Sequence, residues 1–357
     1  MIITIIVFIF ILGILVFVHE LGHYLAAKKV GIKVEEFAFG FPPKIYKKKV
    51  GETEYAINAI PIGGYVKLYG EEGANEKDER SFAHKTIFQR FLVIFAGVLF
   101  NFITAWILFV IGYNFGLPVT TINPENVQNA KVENQIIISN VLEKSTAEKA
   151  GIESGDTIIA IDNQEIEDSN QLSKITKEKK GEEVTIKIKR FGQDKILTTT
   201  LAKNDLPLGI EFIETQTIKV GFFQSFWLAL KEIFNISVAI IVAVYEIIKA
   251  LFTPSSVPEG VAGPIGILFL FKNVLRLGMP YIIQFTAFIS INFAILNFLP
   301  FPALDGGRFI FLLIEFFRKG KKVDPKTEAI VHSIGFMILI LLMILITYRD
   351  VVQNLIK

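Results

Sequence analysis

The chain contains no cysteine, which excludes disulfide bonds and thiolate metal ligands. Any metal site must therefore be built from histidine and carboxylate side chains. Histidine is itself scarce, with 4 residues in the whole sequence. The formal net charge of +2 is close to zero and argues against nucleic-acid binding. The few histidines are the natural place to look for chemistry.

Apolar residues, in contrast, are abundant. They make up 52% of the chain, 33 residues are phenylalanine, and the mean hydropathy is +0.49. A soluble domain of this length does not need that content, so the composition predicts an α-helical polytopic membrane protein. The first apolar run, about 2–27, lacks the basic start and small-residue cleavage site of a signal peptide, so we expect a retained span.

The end of this first span carries a His-Glu-x-x-His motif. In VFVHELGHYLAA, His19 and His23 lie one helical turn apart on one face, so both imidazoles can reach one tetrahedral zinc ion. Glu20, beside the first histidine, can act as a base toward a water molecule. The motif also occurs by chance in soluble helices, but charged and polar groups inside an apolar span are costly and need a reason. The pattern predicts a zinc site with Glu20 as the catalytic residue.

A catalytic zinc ion usually has a third protein ligand, and the best candidate is Asp305. It follows span three, about 280–303, in the sequence NFLPFPALDGG, where two prolines break the helix and two glycines let the backbone turn. An aspartate there can also be a simple N-cap for a helix that begins near Arg308. An inward-running span three, however, brings Asp305 to the same cytoplasmic depth as His23. The three side chains can then form one site with a position left for water.

Basic residues fix the predicted orientation. The segment 28–90 carries many lysines, so the positive-inside rule places it in the cytoplasm and the N-terminus outside. Span two, about 91–117, then runs outward. After the inward span three, span four, about 331–347, returns the C-terminus to the outside.

The apolar segment 221–252 is long enough to cross, but four charged residues interrupt it. If it crossed, the basic cluster after span three would fall outside. We therefore predict an interfacial amphipathic helix, followed by a Gly/Pro-rich connector at 257–267. The predicted parts are 1–117 and 280–357 for the membrane core, 118–214 for an extracytoplasmic domain, and 215–279 for the interfacial segment.

Two parts of the chain have β-like patterns. Glu54–Tyr69 alternates and contains Gly63-Gly64, which indicates strands joined by a turn, in a loop that dips back towards the membrane. In 118–214, KSTAEKAGIESGDTIIAIDNQEI resembles the PDZ fold. PDZ domains bind extended peptides by strand addition, and a steric gate against bulky substrates is an equal interpretation here.

Other polar residues near the spans are given no chemical role. Gly97-x-x-x-Asn101 in span two is predicted to serve ordinary helix packing. His84 and His332 are predicted to be interfacial or packing residues rather than ligands.

Taken together, HELGH, Gly97-x-x-x-Asn101, the PDZ-like insert and NFLPFPALDGG resemble the site-2 protease family, and most closely its bacterial RseP-type intramembrane metalloproteases. The resemblance implies one zinc ion on His19, His23 and Asp305, with Glu20 as acid/base. It also implies that Asn297 holds an unwound substrate strand. The Glu54–Tyr69 segment, including Gly63, Gly64 and Tyr65, is similar to the family's substrate-engaging β-loop. The best-known members carry two tandem PDZ domains, whereas this chain has room for one.

The same resemblance implies partners and a location. The substrates would be single-span membrane proteins already trimmed by another protease, such as anti-sigma factor fragments or remnant signal peptides. The protein would lie in the bacterial cytoplasmic membrane, in contact with the lipid bilayer, with both termini and the PDZ-like domain extracytoplasmic.

Three alternatives remain at this stage. The ligands can serve a metal transporter or sensor, although that function does not need Glu20 as a base. The chain can be an inactive PDZ-bearing membrane scaffold. It can also be a membrane-anchored protease with its site in the cytosol and a glutamate as third ligand.

Overall fold

The computed structural model describes residues 2–355 except 72, 74, 75 and 253–262. The helices of these residues are α1 (Ile2–Lys29), α2 (Ile87–Phe115), α3 (Thr146–Ala150), α4 (Ser169–Glu178), α5 (Phe222–Phe252), α6 (Pro264–Leu277), α7 (Met279–Phe298), α8 (Asp305–Phe317) and α9 (Pro325–Leu355). The strands are β1 (Val34–Val50), β2 (Thr53–Leu68), β3 (Leu117–Pro118), β4 (Lys131–Val141), β5 (Thr157–Ile161), β6 (Gln164–Glu165), β7 (Glu183–Arg190), β8 (Gln193–Thr200) and β9 (Ile210–Lys219).

Within the described ranges, 5 helices are long and apolar enough to cross a membrane: α1, α2, α5, α7 and α9. This is the pattern of a multi-pass membrane protein. Four of them coincide with the predicted spans. The fifth, α5, covers the segment predicted to lie along the interface, and length and composition alone do not test that prediction.

The chain divides into two compact units. The first comprises Met1–Ala105, Ile236–Leu268 and Phe288–Lys357, and the second comprises Trp106–Asn235 and Phe269–Ala287. All the residues predicted to form the metal site belong to the first unit.

In the first unit, β1 and β2 form a sheet whose pairing corrects the sequence prediction. Val50 pairs with Thr53, so the tight turn lies between these two residues and not at Gly63-Gly64. Phe37 near the start of β1 pairs with Tyr55 and also with Val66, so this part of β1 lies between two parts of β2. Gly63, with φ +93°, lies between the two parts of β2. The Gly-Gly pair therefore marks a bend, and both predicted strands pair with β1.

Small residues on α1 allow the sheet and α2 to approach closely. A Cβ added to Gly13 would lie 2.8 Å from Cζ of Phe39. A Cβ added to Gly22 would lie 2.8 Å from the carbonyl carbon of Ala96 and would overlap its oxygen. Van der Waals packing at such small-residue contacts is a main source of helix association in membranes. The first span is thereby held against both structures that surround its polar motif.

The second unit contains a β-rich domain. Its strands follow the order β3-β9-β4-β5-β7-β8, with β6 paired to β5. Ser145 caps α3, and Gly151 ends it in the left-handed conformation at φ 78°. Isoleucines at alternating positions fill the core, including Ile136 and Ile138 on β4 and Ile186 and Ile188 on β7. The predicted PDZ identity of this domain stays a prediction.

The start of α6 corrects the predicted connector. Pro264 is the first residue of this helix, where a missing N–H costs nothing. The buried Asp350 carboxylate accepts hydrogen bonds from the backbone N–H groups of Gly263 (3.2 Å) and Gly266 (2.7 Å). Residues 264–267 are therefore helical. The rest of the predicted connector, 257–262, lies outside the described residues.

Candidate metal centre

Three side chains from α1 and α8 converge on one point. Nε2 of His19 lies 3.1 Å from Nε2 of His23 and 3.1 Å from Oδ2 of Asp305. Nε2 of His23 lies 3.3 Å from the same carboxylate oxygen. In the part of the chain that the structure describes, these residues form a group able to hold a metal ion. The structure thus brings together the three predicted ligands.

The spacing of these atoms fits a zinc ion. Tetrahedral ligands at about 2.0–2.1 Å from zinc are separated from one another by roughly 3.3–3.4 Å. The three observed separations, 3.1–3.3 Å, are close to that value. Oδ2 of Asp305 is buried and has no well-directed hydrogen bond among the described residues. A buried carboxylate oxygen facing two imidazole nitrogens is suited to a cation.

The local chain path explains how Asp305 reaches this position. Asp305 is the first residue of α8, and the N-cap position is occupied by Leu304, without a side-chain capping bond. The carboxylate is directed to the histidines instead of serving as the N-cap. A Cβ on Gly306 would lie 2.6 Å from the carbonyl carbon of Leu299, and one on Gly307 would lie 2.5 Å from the oxygen of Phe301. The two glycines are needed because the chain folds back onto its own backbone.

The second layer of the site comes from α2. Nδ1 of His23 lies 2.8 Å from the carbonyl oxygen of Val93, and Nδ1 of His19 lies 3.3 Å from Nδ2 of Asn101. Between them, a Cβ on Gly97 would lie 2.7 Å from Cε1 of His23 and 2.8 Å from Cε1 of His19. Val93, Gly97 and Asn101 are four residues apart and therefore share one face of α2.

The sequence pattern predicts ordinary helix packing for Gly97 and Asn101, and the structure places both against His19 or His23, the predicted metal ligands. A signal was present in the sequence. A small residue and an amide four positions apart repeat the spacing of the two histidines, as expected for helices that pack side by side.

Glu20 lies beside the bend of β2. A Cβ on Gly64 would be 3.4 Å from Cγ of Glu20, so the segment 64–68 begins next to the predicted base. Tyr65, also in this segment, donates a hydrogen bond from its hydroxyl to Oε1 of Glu36 at 2.8 Å. Asn297 is half-buried near the end of α7. The substrate-binding roles of Gly63, Gly64, Tyr65 and Asn297 stay predictions.

A cavity of about 440 Å³ lies beside α8 and is lined by both charged and apolar side chains. Arg308, one turn after Asp305, forms an ion pair with Glu71 in this cavity. Arg90 and Glu315 form a second pair at 2.6 Å, with each side chain 8% exposed. His332, which also lines the cavity, accepts a hydrogen bond from the Ala303 N–H at 2.9 Å. His332 thus supports the loop that carries Asp305 and is not one of the three converging residues.

Comparison with known proteins agrees with this geometry. The chain matches the family model of peptidase family M50 over residues 7–342. It is 34% identical to a provisionally named zinc metalloprotease of Clostridium acetobutylicum, over 98% of this chain and 97% of that protein. Similarly named proteins of Clostridium perfringens (35%, 95% of each chain) and Fusobacterium nucleatum (34%, 98% of each chain) are also similar to it. These names and the family imply a zinc cofactor and a membrane protease. The chain therefore belongs to peptidase family M50, the site-2 protease family of zinc metalloproteases.

Proposed function

We propose that this protein is an intramembrane zinc endopeptidase that hydrolyses peptide bonds within transmembrane segments of single-span membrane proteins. The observation that carries the proposal is the convergence of His19, His23 and Asp305, because the two histidines belong to a helix apolar and long enough to cross the membrane. Family membership favours this function over a metal transporter or an inactive scaffold. The position of Asp305 disfavours a glutamate as third ligand.

His19, His23 and Asp305 would hold a zinc ion, which when bound polarises a peptide carbonyl and lowers the pKa of a water molecule to about 7. Glu20 adjoins His19 and lies against Gly64. From there it accepts the proton of the attacking water and later delivers a proton to the leaving amine. The cavity beside α8 contains several charged groups, including Arg308 one turn after Asp305, which suits a reaction that consumes water.

A helical substrate must unwind before its carbonyls can be attacked, because they are held in backbone hydrogen bonds. The segment 64–68 of β2 is suited to receive the unwound strand. In the described sheet this segment pairs with β1 alone, and it begins beside Glu20. Strand addition there would satisfy freed backbone groups that the membrane cannot hydrate. The Asn297 amide would supply a further partner for the same strand.

The proposed setting follows from the same function. The protein would lie in a bacterial cytoplasmic membrane, with both termini and the β-rich domain outside the cytoplasm. Substrates would arrive after trimming by another protease. The β-rich domain would select them, either by binding their exposed ends as a PDZ domain or by excluding bulky uncut proteins.

The test is Glu20→Gln in the full chain, assayed with a single-span membrane protein as substrate and with zinc content measured in parallel. We expect the variant to keep zinc and to lose cleavage, because glutamine preserves the shape of the side chain and cannot accept the proton. The matched control is Glu246→Gln, which changes a half-buried glutamate on α5 that pairs with Lys249 and does not belong to the converging group; this variant should cleave normally. Unchanged cleavage by Glu20→Gln would refute the proposed mechanism.

A further inference from the structure

Asn101 lies beside the proposed ligand His19, and its side chain is fully buried and only partly satisfied by the described residues. Its exposure is 0%, and its carboxamide oxygen has no hydrogen-bond partner among the described residues. Its carboxamide nitrogen faces Nδ1 of His19 at 3.3 Å. Its backbone oxygen accepts a hydrogen bond from the hydroxyl of Ser290 at 2.8 Å, which fixes the backbone at this point independently of the side chain.

The chemistry of His19 decides which amide atom should face it. Nε2 of His19 points to Asp305 and His23, so this nitrogen must keep its lone pair free for a metal ion. A neutral imidazole then carries its proton on Nδ1. A protonated Nδ1 facing an NH₂ group would place two donors against each other. Rotating the carboxamide by half a turn exchanges its oxygen and nitrogen without changing its shape.

We propose that Asn101 is a positioning residue for the metal ligand His19, with its carboxamide oxygen accepting the Nδ1–H of that imidazole. This contact fixes the tautomer in which Nε2 is free to bind metal, and it gives the buried amide oxygen the partner it otherwise lacks. The inference rests on the zinc centre of the proposed function.

The second histidine supports the same arrangement. Nδ1 of His23 lies 2.8 Å from the carbonyl oxygen of Val93, which can only accept. His23 therefore donates from Nδ1 and keeps Nε2 free. When the carboxamide oxygen of Asn101 faces Nδ1 of His19, both histidines have the same tautomer. Both are then oriented by acceptors on one face of α2. Outer partners of this kind orient metal-binding histidines and raise their basicity.

The experiment measures zinc affinity by competition with a chelator, on the purified full chain in detergent. Asn101→Leu keeps the approximate size but removes the acceptor, and we expect zinc affinity to fall by about 10–100-fold. Asn101→Asp keeps an acceptor oxygen and builds a carboxylate–histidine pair, so its affinity should equal or exceed that of the wild type. Ser290→Ala is the matched control. It removes a buried hydrogen bond to the same residue but leaves the carboxamide in place, and its zinc affinity should be unchanged.

Visible absorption of the Co²⁺-loaded protein is a second measurement, since it reports ligand geometry. We expect the spectrum to change for Asn101→Leu and to be kept for Ser290→Ala. Asn101→Ala, which also lacks the acceptor, provides the comparison with Asn101→Asp if the leucine variant does not fold.

Wild-type zinc affinity in a folded variant without the acceptor would overturn the inference. An equal loss in Ser290→Ala would also overturn it, because the effect would then be one of packing. Neither measurement uses a substrate. A wild-type protein that binds zinc but cleaves nothing would refute the proposed protease and leave this inference standing.

Discussion

Gly97→Ala gives the most direct test of how tightly α2 confines His19 and His23, the two predicted histidine ligands. The added Cβ would lie 2.7 Å from Cε1 of His23 and 2.8 Å from Cε1 of His19, where ordinary contact begins at 3.4 Å. Relieving the two Cε1 contacts requires a retreat of about 0.6–0.7 Å, and the closer overlap with Nε2 of His23 requires more, unless α2 moves away from α1. Alanine is at the same time the better helix former, by about 1 kcal/mol. Any loss must therefore come from the site and not from the helix.

The expected loss follows from the tolerance of such sites. Metal and catalytic groups must be held within about 0.5 Å of their working positions. A misplacement of about 1 Å can cost on the order of 100-fold. We therefore expect Gly97→Ala to lower zinc affinity and cleavage by about 10–100-fold, measured by chelator competition and by cleavage of a single-span substrate.

Gly112→Ala is the matched control because it introduces the same methyl group into the same helix. Its Cβ would lie 2.6–2.7 Å from Cγ, Cδ1 and Cδ2 of Leu117, a buried side chain that does not belong to the converging group. This variant should lower the thermal unfolding midpoint, because overpacking typically costs about 1–3 kcal/mol, and it should bind zinc as the wild type does. Wild-type zinc affinity and cleavage in Gly97→Ala would show that the ligands can shift freely, and would refute the reasoning.

Two further predictions concern stability. Asp350→Ala leaves the N–H groups of Gly263 and Gly266 without their acceptor, so we expect a loss of about 1–3 kcal/mol, seen as a lower thermal unfolding midpoint in detergent. Asp350→Asn keeps one acceptor oxygen and should lose less; a loss equal to that of Asp350→Ala would show that the retained oxygen contributes nothing and would contradict the hydrogen-bond explanation. In the β-rich domain, the hydrogen bond from Lys179 lowers the pKa of Asp162, so its stabilising effect is present above its unfolded pKa of about 4 and is lost as pH falls below it. Acidification from pH 7 to 3 should therefore destabilise the wild type more than Asp162→Asn, and identical acid sensitivity of proteolysis in this domain would contradict the assignment.

The three converging residues can be predicted from the sequence because their positions follow from local features of the chain. His19 and His23 share a helix face by the helical period alone. Asp305 was reached by counting membrane crossings and by recognising the proline break. These arguments need only helix geometry and the cost of polar groups in an apolar span.

The contacts of Gly97 and Asn101 with the histidines cannot be predicted from local sequence in the same way. Each residue contacts a histidine more than seventy positions away, and the contact depends on how α1 and α2 dock. A small residue and an amide in a span look the same whether they face a neighbouring helix or a metal ligand. The local pattern therefore favoured the more general interpretation.

The errors in the sheet and in α6 have a different cause. The partner strand of β2 contains Pro42-Pro43 and a lysine-rich half, so it lacks the alternation that indicates a strand. Pro264 reads as a helix breaker, but at the first helical position it is favourable. In both cases a residue that usually interrupts structure occupies a place where the interruption costs little.

The order of the ligands along the chain has a consequence for biogenesis. The first helix to be synthesised carries His19, Glu20 and His23. The residues of α2 that contact the two histidines follow. Asp305 is synthesised only after the β-rich domain and α7. A nascent chain therefore carries the histidines and the base for most of its synthesis without the third ligand. With Asp305 as the third ligand, the proposed protease would become active only after α8 has joined the first helix, and it would therefore be inactive during the earlier part of its own insertion.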